Sequence, residues 1–509
     1  MHLLTLSAGG RLAAAIALAL GLAWPAAPQD LQEFEKSVSE FTLANGLHFI
    51  VLERHQAPVV SLYTHARVGA VDDPKGRTGL AHMFEHMAFK GSDRIGSKNY
   101  PAEKKALAAV DRALEQLREE KNRGPRGGEG HKARLERLEK AFQAAVEEAG
   151  RLAASDEFTR VIEESGAVGL NAGTSADSTV YFYSLPSNRI ELWFYLESER
   201  FLRPVFREYY KERDVVREER RMRTESNPIG KLVEAFLTTA FTAHPYGRPA
   251  VGWASDLENL SVADAEEFFR AYYVPANMTV VVAGDADPRR VRSLAEMYFG
   301  RLPNRHLPPP VHTVEPEQEG ERRIEIESAS QPFVLVGFKK PSQQDPDRAV
   351  FDVISDVLSG GRTGWLYKEL VRDKQLALQA GGFPNFPGDK YPGLFLFYAA
   401  PTSGHTVAEN EAAMYGLIEK LKAEPVDADT LNMVKTKNRA ALIRKLDNNA
   451  GLAAELASNH AAFGNWRQLF YELDEINRVT AEDVRRVAQK FFNKRSRSVA
   501  YLVAPPQAK

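Results

Sequence analysis

The sequence predicts an α+β fold of two homologous α/β modules, each a mostly antiparallel sheet covered by helices, with a helical hairpin inserted in the first. Three observations carry this. Stretches of alternating apolar and polar residues, rich in Val, Ile and Tyr and bounded by Gly, Asn or Pro, read as half-buried strands. A helix-then-strand pattern occurs twice at a fixed offset. Between Pro101 and Ala154 the pattern is helical only, with Leu and Ala recurring at three- and four-residue spacing.

Taken in order, residues 1–28 read as a signal peptide. Arg11 closes a weakly basic start, Leu12 to Leu22 is apolar, and small residues follow. The run is too short for a comfortable span, so the expectation is export, to a periplasm, with no membrane span in the mature chain. Strand alternation runs through GLHFIVLERH and VVSLYTHARVGA, and a helix follows from Thr78 to about Lys90 behind the turn DPKGRTG. The 101–154 stretch reads as two long amphipathic helices broken by GPRGGEG, hence an antiparallel hairpin. TVYFYSLP is a strand, RIELWFYLESERF and the stretch from Phe206 to Glu225 are helices, and MTVVVAGDAD is a buried strand.

The repeat sets LSVADAEEFFRAYYVPANMTVVVAGD against VTAEDVRRVAQKFFNKRSRSVAYLVAP. Asp264 aligns with Asp483, Tyr272-Tyr273 with Phe491-Phe492 and Val280 with Val499, each pair 219 residues apart. The modules expected from it span 35–304 and 321–506, with the polar, Pro-rich stretch 305–320 as linker.

A formal net charge of -2 over 509 residues gives no footprint for nucleic acid or an anionic membrane. The chain has no cysteine, which excludes disulfides, thiolate metal sites and a cysteine nucleophile. Any metal must then be held by His and carboxylate.

The string GLAHMFEHMAFKGS supplies such a site. His82 and His86 lie one helical turn apart on one face and can bind a single ion, most simply Zn2+. Glu85 shares that face without being needed as a ligand, which is where a general base stands. The order H-x-x-E-H is the inverted zincin signature. A catalytic zinc needs a third protein ligand, and YYKERDVVREERRMRTE offers Glu212 and Glu219, seven apart on one helical face that Val215 and Val216 make partly apolar. Spacing alone leaves open which of these carboxylates it is.

From about residue 38 to 505 the chain resembles the pitrilysin or insulinase family of zinc peptidases, and within it the short-chain branch that includes the mitochondrial processing peptidase. GLAHMFEHMAFKGS, NAGTSADSTVYFYSLP, ERDVVREE, HPYGRPAVGW and YYVPANMTVVVAGD carry the resemblance together. It implies a zinc metalloendopeptidase with Glu219 as third ligand, Glu212 as its support, and Glu85 as the base. It also implies that Asn171, Ala172, Gly173 and Thr174 line the cleft, where a peptide substrate adds as an extra strand.

The second module has no H-x-x-E-H, so the expectation is one zinc per chain. Members of the family carry an Arg followed seven residues later by a Tyr in the non-catalytic half. Arg372 fits that pattern, but Gln379 stands where the Tyr is expected. The resemblance therefore implies a homologous, non-catalytic partner subunit that supplies the Arg/Tyr pair. Two rival readings are a self-sufficient homodimeric peptidase and a non-catalytic structural subunit of a larger complex.

Overall fold

The run Met278–Gly284 is rich in valine and buried at every position, so it needs cover on both faces and takes the interior of a sheet. In the computed structural model, which describes residues 31–124, 128 and 130–505, this run is β6 of a six-stranded sheet. Its companions are β1 (Val38–Thr42), β2 (His48–Glu53), β3 (Val59–Ala66), β4 (Val168–Thr174) and β5 (Thr179–Pro186), in the order β1-β2-β6-β3-β5-β4. A second sheet holds β7 (Arg322–Glu327), β8 (Phe333–Lys340), β9 (Ala377–Phe386), β10 (Gly393–Pro401) and β11 (Arg497–Val503), in the order β7-β11-β8-β10-β9.

Leaving β1 aside, the two orders match strand for strand. Each sheet has one parallel pair, β2–β6 or β7–β11, and is otherwise antiparallel. The fold is thus the α+β arrangement of two like modules that the sequence predicts. The repeat read from sequence falls on equivalent elements, helix Val262–Tyr272 before β6 and helix Ala481–Phe491 before β11. Both helices open with the same capping box, Ser261 with Asp264 and Thr480 with Asp483.

The sheets are covered reciprocally. Helix Asn449–Phe463, from the second half of the chain, lies on the first sheet and buries Leu452, Leu456 and Ala457 against Ile50, Leu52 and Val281. Helix Pro228–Ala240, from the first half, buries Leu232 and Phe236 against Leu335 and Leu394 of the second sheet. Each large apolar side chain so buried contributes about 1.5–3 kcal/mol. The helices Tyr100–Arg123 and His131–Leu152 pack along one another, and Arg207 ties their base to the rest through a buried ion pair with Glu103 at 2.9 Å.

Three local expectations change. The helix carrying HMFEH runs only from Leu80 to Met87, because Thr78 is bound by Asp256 and Gly79 takes a left-handed φ of 91°. A side chain at Gly79 would collide with the Val251 carbonyl. The stretch to Glu225 is α-helical over Tyr209–Arg220 and then widens into a π turn, Arg221–Glu225. Val215 does not join an apolar face: it is 46% exposed while Val216 is buried, since neighbouring residues on a helix point about 100° apart. The signal peptide expected at 1–28 lies outside the described residues, among which no helix is long and apolar enough to cross a membrane.

Candidate metal centre

The helix Leu80–Met87 presents two faces with opposite demands. Leu80, Met83, Phe84 and Met87 are buried in the main core of the first module and fix the helix's rotation. His82, Glu85 and His86 are thereby turned toward the helix Tyr209–Arg220 and the edge strand β4. Asp73 anchors the helix start: its carboxylate accepts hydrogen bonds from the Gly79 and Ala81 amides at 2.7 and 2.9 Å. That satisfies two of the donors a helix N-terminus leaves free.

On the facing helix, Tyr209, Tyr210 and Val216 are buried, so Glu212 and Glu219 point at the histidines. His82 Nε2 stands 3.5 Å from Glu219 Oε1, and His86 Nε2 stands 3.5 Å from Glu219 Oε2. The two imidazole rings are 5.0 Å apart and nearly perpendicular, at 89°. One donor atom from each of the three residues can be chosen so that all lie within 4.8 Å of one another. Ligands held about 2.0–2.1 Å from a tetrahedral zinc are spaced roughly 3.3–3.4 Å apart, so each histidine stands about one such spacing from one oxygen of the Glu219 carboxylate. These separations are long for hydrogen bonds.

The charge state points the same way. Burial holds His82 neutral, with its pKa lowered to about 4. His86 is lifted to about 9: burial opposes its protonation, but the facing carboxylates of Glu212 and Glu219 outweigh it. Two carboxylates thus face His86, a setting that favours positive charge, whether a proton or a bound cation. Glu212 is itself pulled down to about 2, since its contacts with His86 and Lys90 overcome its burial. Its Oε2 lies 3.4 Å from His86 Nδ1 and its Oε1 2.5 Å from Lys90 Nζ, so it orients His86 from behind. Glu218, the acidic neighbour of Glu219, points away and pairs with Arg221.

Glu85 sits beside this group. Burial raises its pKa, while a hydrogen bond with the Thr174 side chain works against the rise. Thr174 ends β4, which pairs with β5 on one side only and leaves its other edge open. Asn171, Ala172 and Gly173 precede it on that edge, opposite Phe182, Tyr181 and Val180. Arg372 is not brought to the centre: it lies in the second half of the chain, exposed and paired with its neighbour Asp373 at 2.6 Å. Gln379 is exposed on the edge strand β9, opposite Ala400.

Sequence reading missed two side chains here. Lys90 bonds Glu212, and Arg223 reaches Glu219 Oε1 at 2.9 Å. Both stand four residues after a member of the centre, His86 and Glu219, and that spacing was the available signal.

A family model described as insulinase, peptidase family M16, matches residues 49–114 and 148–252, and one described as peptidase M16 inactive domain matches 259–438. The chain belongs to the M16 peptidase family. The gap in the first M16 match, 115–147, takes in the end of the helix Tyr100–Arg123 and most of the helix His131–Leu152. Among M16 relatives, the chain is 27% identical over 474 residues to the zinc protease PqqE of Helicobacter pylori, covering 91% of each. Its fold matches the crystal structure of a protease from Helicobacter pylori with a TM-score of 0.76 at 25% identity, covering 92% of this chain and 99% of that one. The periplasmic protease PqqL of Escherichia coli shares the fold, with a TM-score of 0.67 at 16% identity over 94% of this chain and 48% of that one.

Proposed function

We propose that the chain is a zinc-dependent endopeptidase that hydrolyses oligopeptides or unfolded polypeptides. The observation that carries this is the convergence of His82, His86 and Glu219, with donor atoms all within 4.8 Å of one another and Glu85 beside them. His82, His86 and Glu219 would hold one Zn2+ per chain, and Glu212 would steady the His86 ring through its contact with Nδ1. When bound, zinc supplies a Lewis acid that acidifies a water and polarises a carbonyl.

Glu85 takes the proton from the attacking water and delivers it to the leaving amine nitrogen. A carboxyl group raised by burial and steadied by Thr174 suits both halves of that transfer. The open edge of β4 offers main-chain hydrogen bonds to an extended peptide, whose residues pass Asn171, Ala172, Gly173 and Thr174 on the way to Glu85. Pairing of this kind reads the substrate backbone, which favours unfolded chains, and it needs an enclosing second half to exclude water.

Gln379 stands where the family resemblance expects an oxyanion-binding Tyr, and Arg372 is tied to Asp373. This favours a homologous partner subunit that supplies the Arg/Tyr pair over a homodimer. Export to the periplasm rests on the sequence pattern of residues 1–28.

The test is a quenched-fluorescence peptide mixture assayed on the chain alone and mixed with a candidate partner, with and without chelator. Chelator-sensitive cleavage that disappears in Glu85→Gln while bound zinc is retained supports the proposal. Equal cleavage in Glu85→Gln, or zinc-free protein with full activity, removes it.

A further inference from the structure

β3 ends at Ala66, and on either side of that end His65 and Arg67 line a cavity of about 490 Å³. Its walls come from both halves of the chain and from the Leu307–Pro310 part of the connecting segment. That volume suits a small organic solute rather than a bare ion.

The charged groups on the wall, Arg67, Lys390, Asp72 and Asp177, balance in number, but only Arg67 lacks a charged or hydrogen-bonded partner that matches it. Asp177 is saturated by the Tyr246 hydroxyl and by the amides of Asp389 and Lys390. Asp72 accepts from the Gly69 amide and has Lys390 Nζ at 3.8 Å. Arg67 has no carboxylate within ion-pair distance among the described residues; its guanidinium donates only to the Ala276 carbonyl, at 3.2 Å. Burial works against that charge. Beside it His65, 7% exposed, lines the same wall; its Nδ1 is turned away from the cavity, so the ring meets it through its other edge. A half-buried guanidinium on a concave wall is costly unless a counter-group completes it, and the imidazole stands beside it. A planar anion accepts from both, since a guanidinium grips carboxylate or phosphoryl oxygens through two parallel hydrogen bonds.

We propose that this cavity binds the carboxylate or phosphoryl end of a small polar solute, held by Arg67 and His65 at the junction of the two modules. The site is separate from the metal centre and does not depend on the peptidase reading. A solute seated there touches both modules and the connection at once, so its binding stabilises the folded chain.

Isothermal titration of the full, zinc-loaded chain tests this with N-acetylglycine, its neutral amide and inorganic phosphate. Saturable binding of N-acetylglycine or phosphate, no binding of the amide, and at least about tenfold weaker binding in Arg67→Gln are expected. Binding of N-acetylglycine alone assigns the site to carboxylates, and binding of phosphate alone assigns it to phosphoryl groups. Absence of saturable binding by both, or unchanged affinity in Arg67→Gln, overturns the proposal. Binding that vanishes in Glu219→Gln but persists in Arg67→Gln belongs to the metal centre and overturns it too. If Arg67→Gln does not fold, Arg67→Lys keeps the charge but loses the planar fork; unchanged affinity there is equally fatal, and a loss of threefold or more supports the site.

Discussion

Asp177 accepts a 2.6 Å hydrogen bond from the Tyr246 hydroxyl, and its second carboxylate oxygen accepts from the amides of Asp389 and Lys390 at 2.7 and 3.0 Å. Tyr246 in turn accepts from the Tyr391 amide at 3.1 Å. The turn between β4 and β5 is thereby fastened to the loop between β9 and β10. Asp177→Ala leaves these donors unmatched, and a loss of about 2 kcal/mol is expected in denaturant unfolding. Tyr246→Phe is expected to cost about 1 kcal/mol, and the double variant less than the sum, because both remove the same bond. Additive losses would show that the two residues act separately.

Metal binding to the folded chain should stabilise it. At free zinc about a thousandfold above the dissociation constant, the gain is about 4 kcal/mol, read as a rise in the thermal midpoint that chelator reverses. His82→Ala and Glu219→Gln each remove a donor of the group and are expected to lose most of that gain. Glu85→Gln is expected to keep it. A zinc-dependent rise of equal size in Glu219→Gln would place the ion elsewhere.

Glu212 contacts His86 Nδ1 and Lys90 but is not a member of the metal-holding group. Its role as an orienting carboxylate predicts a loss of roughly 10–100-fold in zinc affinity for Glu212→Gln, with the number of zinc ions per chain unchanged at saturation. Competition against a chromogenic chelator measures it. Affinity equal to that of the parent chain would make Glu212 a packing residue only.

Glu315, in the connecting segment, gives a pH signature away from the metal. Burial opposes its charge, but the amides of His244, Thr242 and Ala243 bond its carboxylate and bring its pKa down to about 2 from 4.5. A depressed folded value means stability is fully present above about 4.5 and is lost as pH falls toward about 2, because the unfolded chain takes the proton first. Glu315→Gln is expected to be less stable at neutral pH and to show a shallower acid loss between those limits. An unchanged slope in unfolding experiments at pH 5, 4 and 3 would contradict this role.

Much of the centre was legible one helix at a time. Two imidazoles and a carboxylate within five residues need only helical periodicity to share a face, so His82, Glu85 and His86 stand out from sequence. The repeat was legible for the same kind of reason: capping residues, paired aromatics and an apolar strand are short-range patterns, and they returned as equivalent helices and strands. Periodicity failed where neighbours compete. It could not assign Val215 and Val216 to different sides, and it ran one helix through the π turn at Arg221–Glu225.

The sequence by itself determined the local chemistry: a paired-histidine helix with a glutamate beside the pair, a second helix rich in carboxylates, no thiol, and two copies of one α/β pattern. Only the tertiary structure decided which atoms meet. It turned Glu219 toward both Nε2 atoms and Glu212 toward Nδ1, left Arg372 with Asp373, crossed a helix from each half onto the other's sheet, and enclosed Arg67 with His65. The physical reason is range. Helical and strand periods fix neighbours within a few residues, whereas contacts between residues more than a hundred positions apart depend on how whole apolar faces pack, which no local period records.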